Sequence, residues 1–112
     1  MQAETNTQAP SGLLRHIVMV KFKKETAPGQ IEMLEKQFAA LETQIETIID
    51  YEWGLADTAE KDLDQGFTHC FVVTFKDKSG LEVYLPHQAH QAFVEVFKPQ
   101  IDKILVLDYI SQ

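Results

Sequence analysis

The side chains best suited to acid–base chemistry form a small cluster near residue 87. His87 and His90 stand three residues apart just after Pro86, on one side of a helix start, and Tyr84 precedes His87 by three residues. An imidazole titrates at about pH 6.5, and burial favours its neutral, basic form. A tyrosine hydroxyl can stabilise, by hydrogen bonding, the enolate that forms when a base removes a proton next to a carbonyl group. The cluster therefore predicts general acid–base catalysis on a carbonyl compound.

The other two histidines of the chain lie in apolar rows of predicted strands. His16 alternates with Val18, and His69 alternates with Phe71. We expect both histidines to face the same pocket as the first cluster, between sheet and helices. A single histidine in an apolar row is more often a core residue, and His87 is equally suited to capping a helix, so the structural interpretation stays open.

Other kinds of reactive site find little support. Cys70 falls on the opposite side of its strand from His69, which argues against a nucleophile paired with a base. The His87 and His90 pair lacks the further ligands that zinc requires. The chain has no glycine-rich phosphate loop and no dinucleotide fingerprint. We therefore expect neither a metal nor a cofactor.

Hydrophobic periodicity defines the elements that must position these residues. The capping candidates are Thr26 for the first helix and Ser79, with Glu82 three residues on, for a later short helix. The apolar helix stripes include Phe38 and Phe93, which we expect to form core and, compatibly, to line the pocket. The predicted order is a strand at 13–23, a helix from about 28 to 45, strands from about 47 to 55 and at 67–75, helices at 79–85 and 88–98, and a strand at 103–110.

This order predicts an α+β fold, the ferredoxin-like βαββαβ arrangement with a four-stranded antiparallel sheet. The helices can cover only one face of such a sheet. Both faces nevertheless carry apolar residues: Val106 on one face of the last strand, and Leu105 and Leu107 on the other. An uncovered apolar face of that size indicates an interface. We expect a homodimer in which two sheets close against each other into a shared β-barrel.

Composition limits the partners. The 112 residues carry 10 basic and 17 acidic side chains, for a net charge of -7, so nucleic acid is not expected. No run approaches the ~20 apolar residues of a membrane span, so no membrane is expected. The single Cys70 favours a reduced compartment such as the cytoplasm, and a secreted or periplasmic origin remains compatible. We predict a flexible arm at 1–12 and one domain at 13–112.

Five segments together resemble the stress-responsive alpha/beta barrel (Dabb) family of dimeric alpha+beta barrels. They span most of the chain beyond the predicted arm, and their order makes the resemblance fairly specific. The segments are LRHIVMVKFK in the first strand, the pair Trp53-Gly54, QGFTHCFVVTF from Gln65 to Phe75, YLPHQAH from Tyr84 to His90, and VLDY from Val106 to Tyr109.

The resemblance implies a homodimer with a cavity in each subunit between sheet and helices. The family includes a plant polyketide cyclase that performs a cofactor-free, aldol-type ring closure. By motif position, its acid/base histidine and assisting tyrosine correspond to His90 and Tyr84. This chain departs from that pattern, because Phe38 stands where the cyclase has a tyrosine and Gln88 stands where proline is common. The resemblance therefore does not imply polyketide cyclisation specifically.

Two hypotheses for function follow. The first is a small-ligand-binding protein or a cofactor-independent enzyme of the cyclase, lyase or isomerase type that acts on a hydrophobic carbonyl compound, with His90 and Tyr84 as catalytic residues. The alternative is a non-catalytic stress-responsive dimer with a filled core; an open cavity of a few hundred Å³ would favour the first. The predicted substrate-binding residues are His16, Val18, Phe38, His69, Phe71, His87, Phe93 and Val106.

Overall fold

Strands and helices follow one another in the predicted order, and the ferredoxin-like fold is confirmed. The computed structural model describes residues 11–112. Its last strand begins two residues earlier than predicted. The elements are β1 (Leu14–Phe22), α1 (Pro28–Gln44), β2 (Ile48–Leu55), β3 (His69–Phe75), α2 (Lys78–Tyr84), α3 (Gln88–Phe97), a single 3-10 turn (Lys98–Gln100) and β4 (Ile101–Ile110).

The sheet has the strand order β2-β3-β1-β4, and all its pairs are antiparallel. The face packed against the helices is called the inner face. One row across this face consists of Tyr51, Val73, His16 and Asp108, each on a different strand. The register therefore places an acidic residue of β4 directly beside the histidine of β1.

The core lies between the inner face and the helices. Strand residues of alternate parity, such as Val20 and Phe71, are fully buried because successive side chains point to opposite faces. From α1, Phe38 stacks on Phe71 with ring centroids 4.4 Å apart. Phe93 and Phe97 of α3 pack around the same ring system. This aromatic cluster fixes both long helices over the middle of the sheet.

β4 is exposed on both faces. Leu105 and Leu107 lie on the outer face with 40% and 54% of their surface accessible, as the uncovered face predicts. On the inner face, Ile104 and Val106 are 53% and 51% exposed. The helices therefore cover β1, β3 and the beginning of β2 but leave the inner side of β4 open.

Two predicted helix caps are wrong. The residue before α1 is Ala27, which offers no side-chain cap, and the Thr26 hydroxyl instead donates to the side-chain oxygen of Gln100. α2 is capped by Asp77, whose carboxylate accepts from the backbone N–H of Ser79 at 3.0 Å. The helix begins earlier than Ser79, so the carboxylate that precedes it supplies the acceptor.

Most of the predicted arm, residues 1–12, lies outside the described residues. Of its last two residues, Gly12 donates its backbone N–H to the carbonyl of Ser111 at 2.7 Å. The next residue, Leu13, donates its N–H to the Ser111 hydroxyl. The chain therefore enters β1 beside the end of β4.

Candidate active site

A cavity of about 280 Å³ lies between α3 and the inner side of the β1–β4 pair. Its open side runs along β4, where the inner face is uncovered. Most of its wall consists of hydrophobic side chains, and the polar side chains in it are His16, Tyr84, His90 and Lys98. The lining residues are His16, Val18, Phe38, Tyr84, Leu85, His90, Phe93, Val94, Phe97, Lys98, Ile101, Ile104 and Val106.

His90 has a fixed tautomer at one end of this cavity. Its Nδ1 lies 3.0 Å from the carbonyl oxygen of Leu85, and since a carbonyl only accepts, Nδ1 carries the hydrogen. Nε2 is then left with its lone pair. Burial lowers the pKa of His90, and the nearby His16 and His87 lower it further, against the Leu85 hydrogen bond, which raises it. His90 is therefore a neutral imidazole that can accept a proton at Nε2.

Tyr84 lies against this imidazole. The two ring centroids are 4.3 Å apart, and only 1% of the tyrosine surface is exposed. Burial raises the pKa of Tyr84 well above its usual value, so the hydroxyl keeps its proton. No protein group within residues 11–112 accepts a hydrogen bond from it. Tyr84 is thus a protonated donor whose ring lies against the imidazole of His90.

His16 is held by the acidic residue beside it in the sheet. Its Nδ1 donates to the Asp108 carboxylate over 2.6 Å, which fixes the ring. The imidazole meets the Tyr84 ring edge-on at 5.7 Å. Asp108 was not among the predicted site residues, although it shares the inner-face parity of Val106 in a strand paired with β1. The Asp108–His16 pair supports the tyrosine from the sheet side.

The other predicted site residues divide into two groups. Val18, Phe38, Phe93 and Val106 line the cavity together with His16, Tyr84 and His90. His69, His87 and Phe71 lie elsewhere. Phe71 is fully buried beneath Phe38 and forms no part of the cavity wall.

His69 belongs to a separate polar pair under α1. Its Nε2 lies 2.7 Å from the Glu35 carboxylate, its Nδ1 lies 2.9 Å from the Thr68 hydroxyl, and its ring stacks parallel to Trp53 at 5.9 Å. His69 pairs with Val20, four residues along β1 from His16, or about 13 Å at strand spacing. His69 lies on the β3 side of β1, whereas the cavity follows the β4 side, and His69 does not line the cavity.

His87 caps α3. Its Nδ1 accepts the backbone N–H of Ala89 at 3.0 Å, so the capping alternative describes its contact. The ring lies on a shallow groove of about 510 Å³ between α1 and α3. That groove is larger than the cavity but contains none of His16, Tyr84 and His90, so its size does not make it the candidate for chemistry.

Two kinds of feature are missing from the described part of the chain. No group of three or more His, Cys, Asp or Glu side chains within residues 11–112 could hold a metal ion. No helix among these residues is long and apolar enough to cross a membrane.

Known proteins resemble this chain over nearly all of its length. The family model described as the stress responsive A/B barrel domain matches residues 14–111. The stress-response A/B barrel domain-containing protein HS1 of Arabidopsis thaliana is 38% identical over 98 residues, 88% of this chain and 89% of that protein. Olivetolic acid cyclase of Cannabis sativa is 32% identical over 96 residues, 86% of this chain and 94% of the cyclase.

The fold of this chain also superposes on solved structures. A hydroxynitrile lyase from Passiflora edulis superposes with a TM-score of 0.84 at 27% identity, covering 92% of this chain and 96% of the lyase. A dimeric ferredoxin-like protein from Jannaschia gives a TM-score of 0.76 at 25% identity over 88% of this chain and 98% of that protein. The chain belongs to the stress-responsive A/B barrel (Dabb) domain family.

Proposed function

We propose that this protein is a small cofactor-independent enzyme that removes a proton next to the carbonyl group of a hydrophobic compound. One observation carries the proposal: a neutral imidazole and a tyrosine hydroxyl, with no partner at Nε2 or at the hydroxyl within residues 11–112, share one apolar cavity. Two similar proteins, the cyclase and the lyase, are enzymes by name. A reaction of the cyclase, lyase or isomerase type fits this arrangement.

The chemistry follows from the two groups. Tyr84 donates its O–H to the carbonyl oxygen of the bound compound, while Nε2 of His90 accepts the proton from the adjacent carbon. The electron pair of that C–H bond moves onto the oxygen, and the hydroxyl stabilises the resulting enolate. The Leu85 carbonyl stabilises the imidazolium through Nδ1–H. Asp108 and His16 hold the tyrosine ring from the sheet side.

The size of the cavity favours this proposal over a non-catalytic dimer. A filled core would leave no space between α3 and β1, whereas the cavity measures about 280 Å³, just below the ~300–1,000 Å³ of ordinary ligand sites. Its walls are nearly all apolar. A small hydrophobic compound is therefore the ligand that fits.

We also propose that the protein acts as a homodimer in a reduced compartment such as the cytoplasm. The outer face carries exposed apolar side chains, among them Leu105, Leu107 and Tyr109, and burying apolar surface favours association. A similar ferredoxin-like protein is described as dimeric. The single free thiol of Cys70 supports the choice of compartment.

Proton exchange tests the catalytic role without knowledge of the natural substrate. The purified protein is incubated in D2O with 4-phenyl-2-butanone, and the loss of the protons next to the carbonyl is followed by NMR. The wild-type protein should accelerate exchange above the buffer rate. His90→Gln should lower the enzymatic rate by about 10²- to 10⁴-fold, the usual contribution of a general base.

The matched control is His87→Asn, which removes the neighbouring imidazole but keeps an acceptor at the helix cap. Because His87 lies outside the cavity, this variant should exchange at the wild-type rate when both are assayed at pH 8, where His90 is neutral with or without the neighbouring imidazole. If His90→Gln exchanges as fast as wild type, or if wild type does not exceed buffer, the proposed role of His90 is wrong.

A further inference from the structure

Lys98 is a cation at the end of the cavity opposite the catalytic pair. It follows α3 directly and lines the cavity beside Ile101. Within residues 11–112 the only ion pairs are those of His16 and His69, so no carboxylate lies within 4.0 Å of the Lys98 ammonium group. This cation is free to bind a ligand.

The cavity has a definite length between its two polar ends. Lys98 follows α3 directly, eight positions after His90, so the Cα atoms of the two residues lie about 12 Å apart at helical rise. The wall between them is apolar, with Phe97 on α3 and Val106 on β4. Catalytic groups and cation are therefore separated by a hydrophobic stretch about as long as a medium-length alkyl chain.

We propose, on the basis of the function proposed above, that the substrate is an oxo acid: a carbonyl at His90 and Tyr84, an apolar middle, and a carboxylate at Lys98. An extended chain gains about 1.25 Å per bond, so about nine bonds between the two carbons span the distance. The net charge of -7 does not draw anions from solution. Lys98 therefore selects the acid by direct contact once it is bound.

Three probes test this assignment by calorimetry at low ionic strength. They are 10-oxoundecanoate, which has the required spacing, 2-undecanone, which lacks the carboxylate, and 5-oxohexanoate, which is too short. Lys98→Gln should weaken binding of 10-oxoundecanoate by about threefold to fivefold, the upper range for an exposed ion pair. It should leave the affinity for the other two compounds unchanged. Added salt should reduce the difference between wild type and variant.

Two variants serve as controls. Lys98→Arg keeps the charge and should retain the affinity for 10-oxoundecanoate. Lys36→Gln makes the same change in net charge on the exposed side of α1, away from the cavity, and should have no effect on any of the probes.

The outcomes separate this inference from the proposed function. Equal weakening of all probes by Lys98→Gln would mean that the lysine only stabilises the end of α3, and this overturns the inference. Wild type binds 2-undecanone and catalyses its exchange if the proposed function is right. If Lys98→Gln then fails to weaken the binding of 10-oxoundecanoate, the inference is overturned while the proposed function stands. Failure of wild type to bind either long compound would overturn both.

Discussion

A buried hydroxyl without a partner makes Tyr51 the position where a single change should stabilise the protein. Tyr51 lies on the inner face of β2, and its ring packs against Phe38 with centroids 5.6 Å apart. Its hydroxyl oxygen is inaccessible and has no hydrogen-bond partner among the described residues. Tyr51→Phe removes this oxygen and keeps every ring contact.

The expected gain follows from the desolvation of that group. A buried polar group left unpaired costs about 1–3 kcal/mol, and the folded protein carries this penalty at Tyr51. Tyr51→Phe should therefore raise the free energy of unfolding by about 1 kcal/mol or more. For a domain of about 100 residues this raises Tm by roughly 4–8 °C per kcal/mol.

Alkaline pH provides a second signature of the same burial. The pKa values of Tyr51 and Tyr84 are both raised, in each case chiefly by burial. The unfolded chain releases these protons at about pH 10, whereas the folded chain retains them, so stability falls as pH rises above 10. Tyr51→Phe removes one of the two groups, and its stability should fall less steeply.

Guanidinium unfolding followed by circular dichroism, at pH 7 and pH 10.5 and at one protein concentration, measures both effects. The contrasting variant is Thr47→Val, which deletes a hydroxyl that donates to the Gly80 carbonyl at 3.0 Å. It should lower stability by about 1 kcal/mol. A Tyr51→Phe variant less stable than wild type would refute the reasoning, because its hydroxyl would then have a stabilising partner.

Three further results are expected. Because burial lowers the pKa of His90, the exchange rate should fall on acidification with a midpoint below pH 6.5, and a midpoint above pH 7 would contradict this. Leu107→Asp on the outer face should give a monomer by light scattering, whereas Leu55→Asp, at 65% exposure on the inner side of β2, should leave the dimer intact. Glu35→Leu should lower the free energy of unfolding by about 1–3 kcal/mol, since it removes the hydrogen-bond partner of Nε2 of buried His69; an unchanged unfolding midpoint would show that this hydrogen bond contributes nothing.

Periodicity in the sequence predicts the fold and apolar residues on both walls of the cavity for the same physical reason. Side chains alternate across a strand, so the apolar row that contains Val18 identifies the face that the helices must cover. Helical spacing likewise identifies the buried stripe that contains Phe38 and Phe93. These patterns record burial directly, which is why residues on both sides of the cavity could be predicted.

The hydrophobic pattern shows which face of a strand a residue lies on, but it does not show which residues of that face reach the cavity. His16 and His69 have equal parity, and the sequence gives no reason to separate them. The structure shows that Glu35 of α1 reaches His69, while Asp108 of β4 reaches His16. Both acidic partners come from distant parts of the chain, so only the helix placement and strand register bring them to their histidines.

Histidine side-chain NMR with added ketone tests most directly whether one cavity unites the base and the donor. Ring nitrogen signals of the full chain are recorded with and without 4-phenyl-2-butanone, and each histidine is assigned by substitution. Shifts at His90 and His16, with His69 and His87 unmoved, are the predicted result. No shift at His90, or equal shifts at His87, would contradict the proposal that this cavity is the active site.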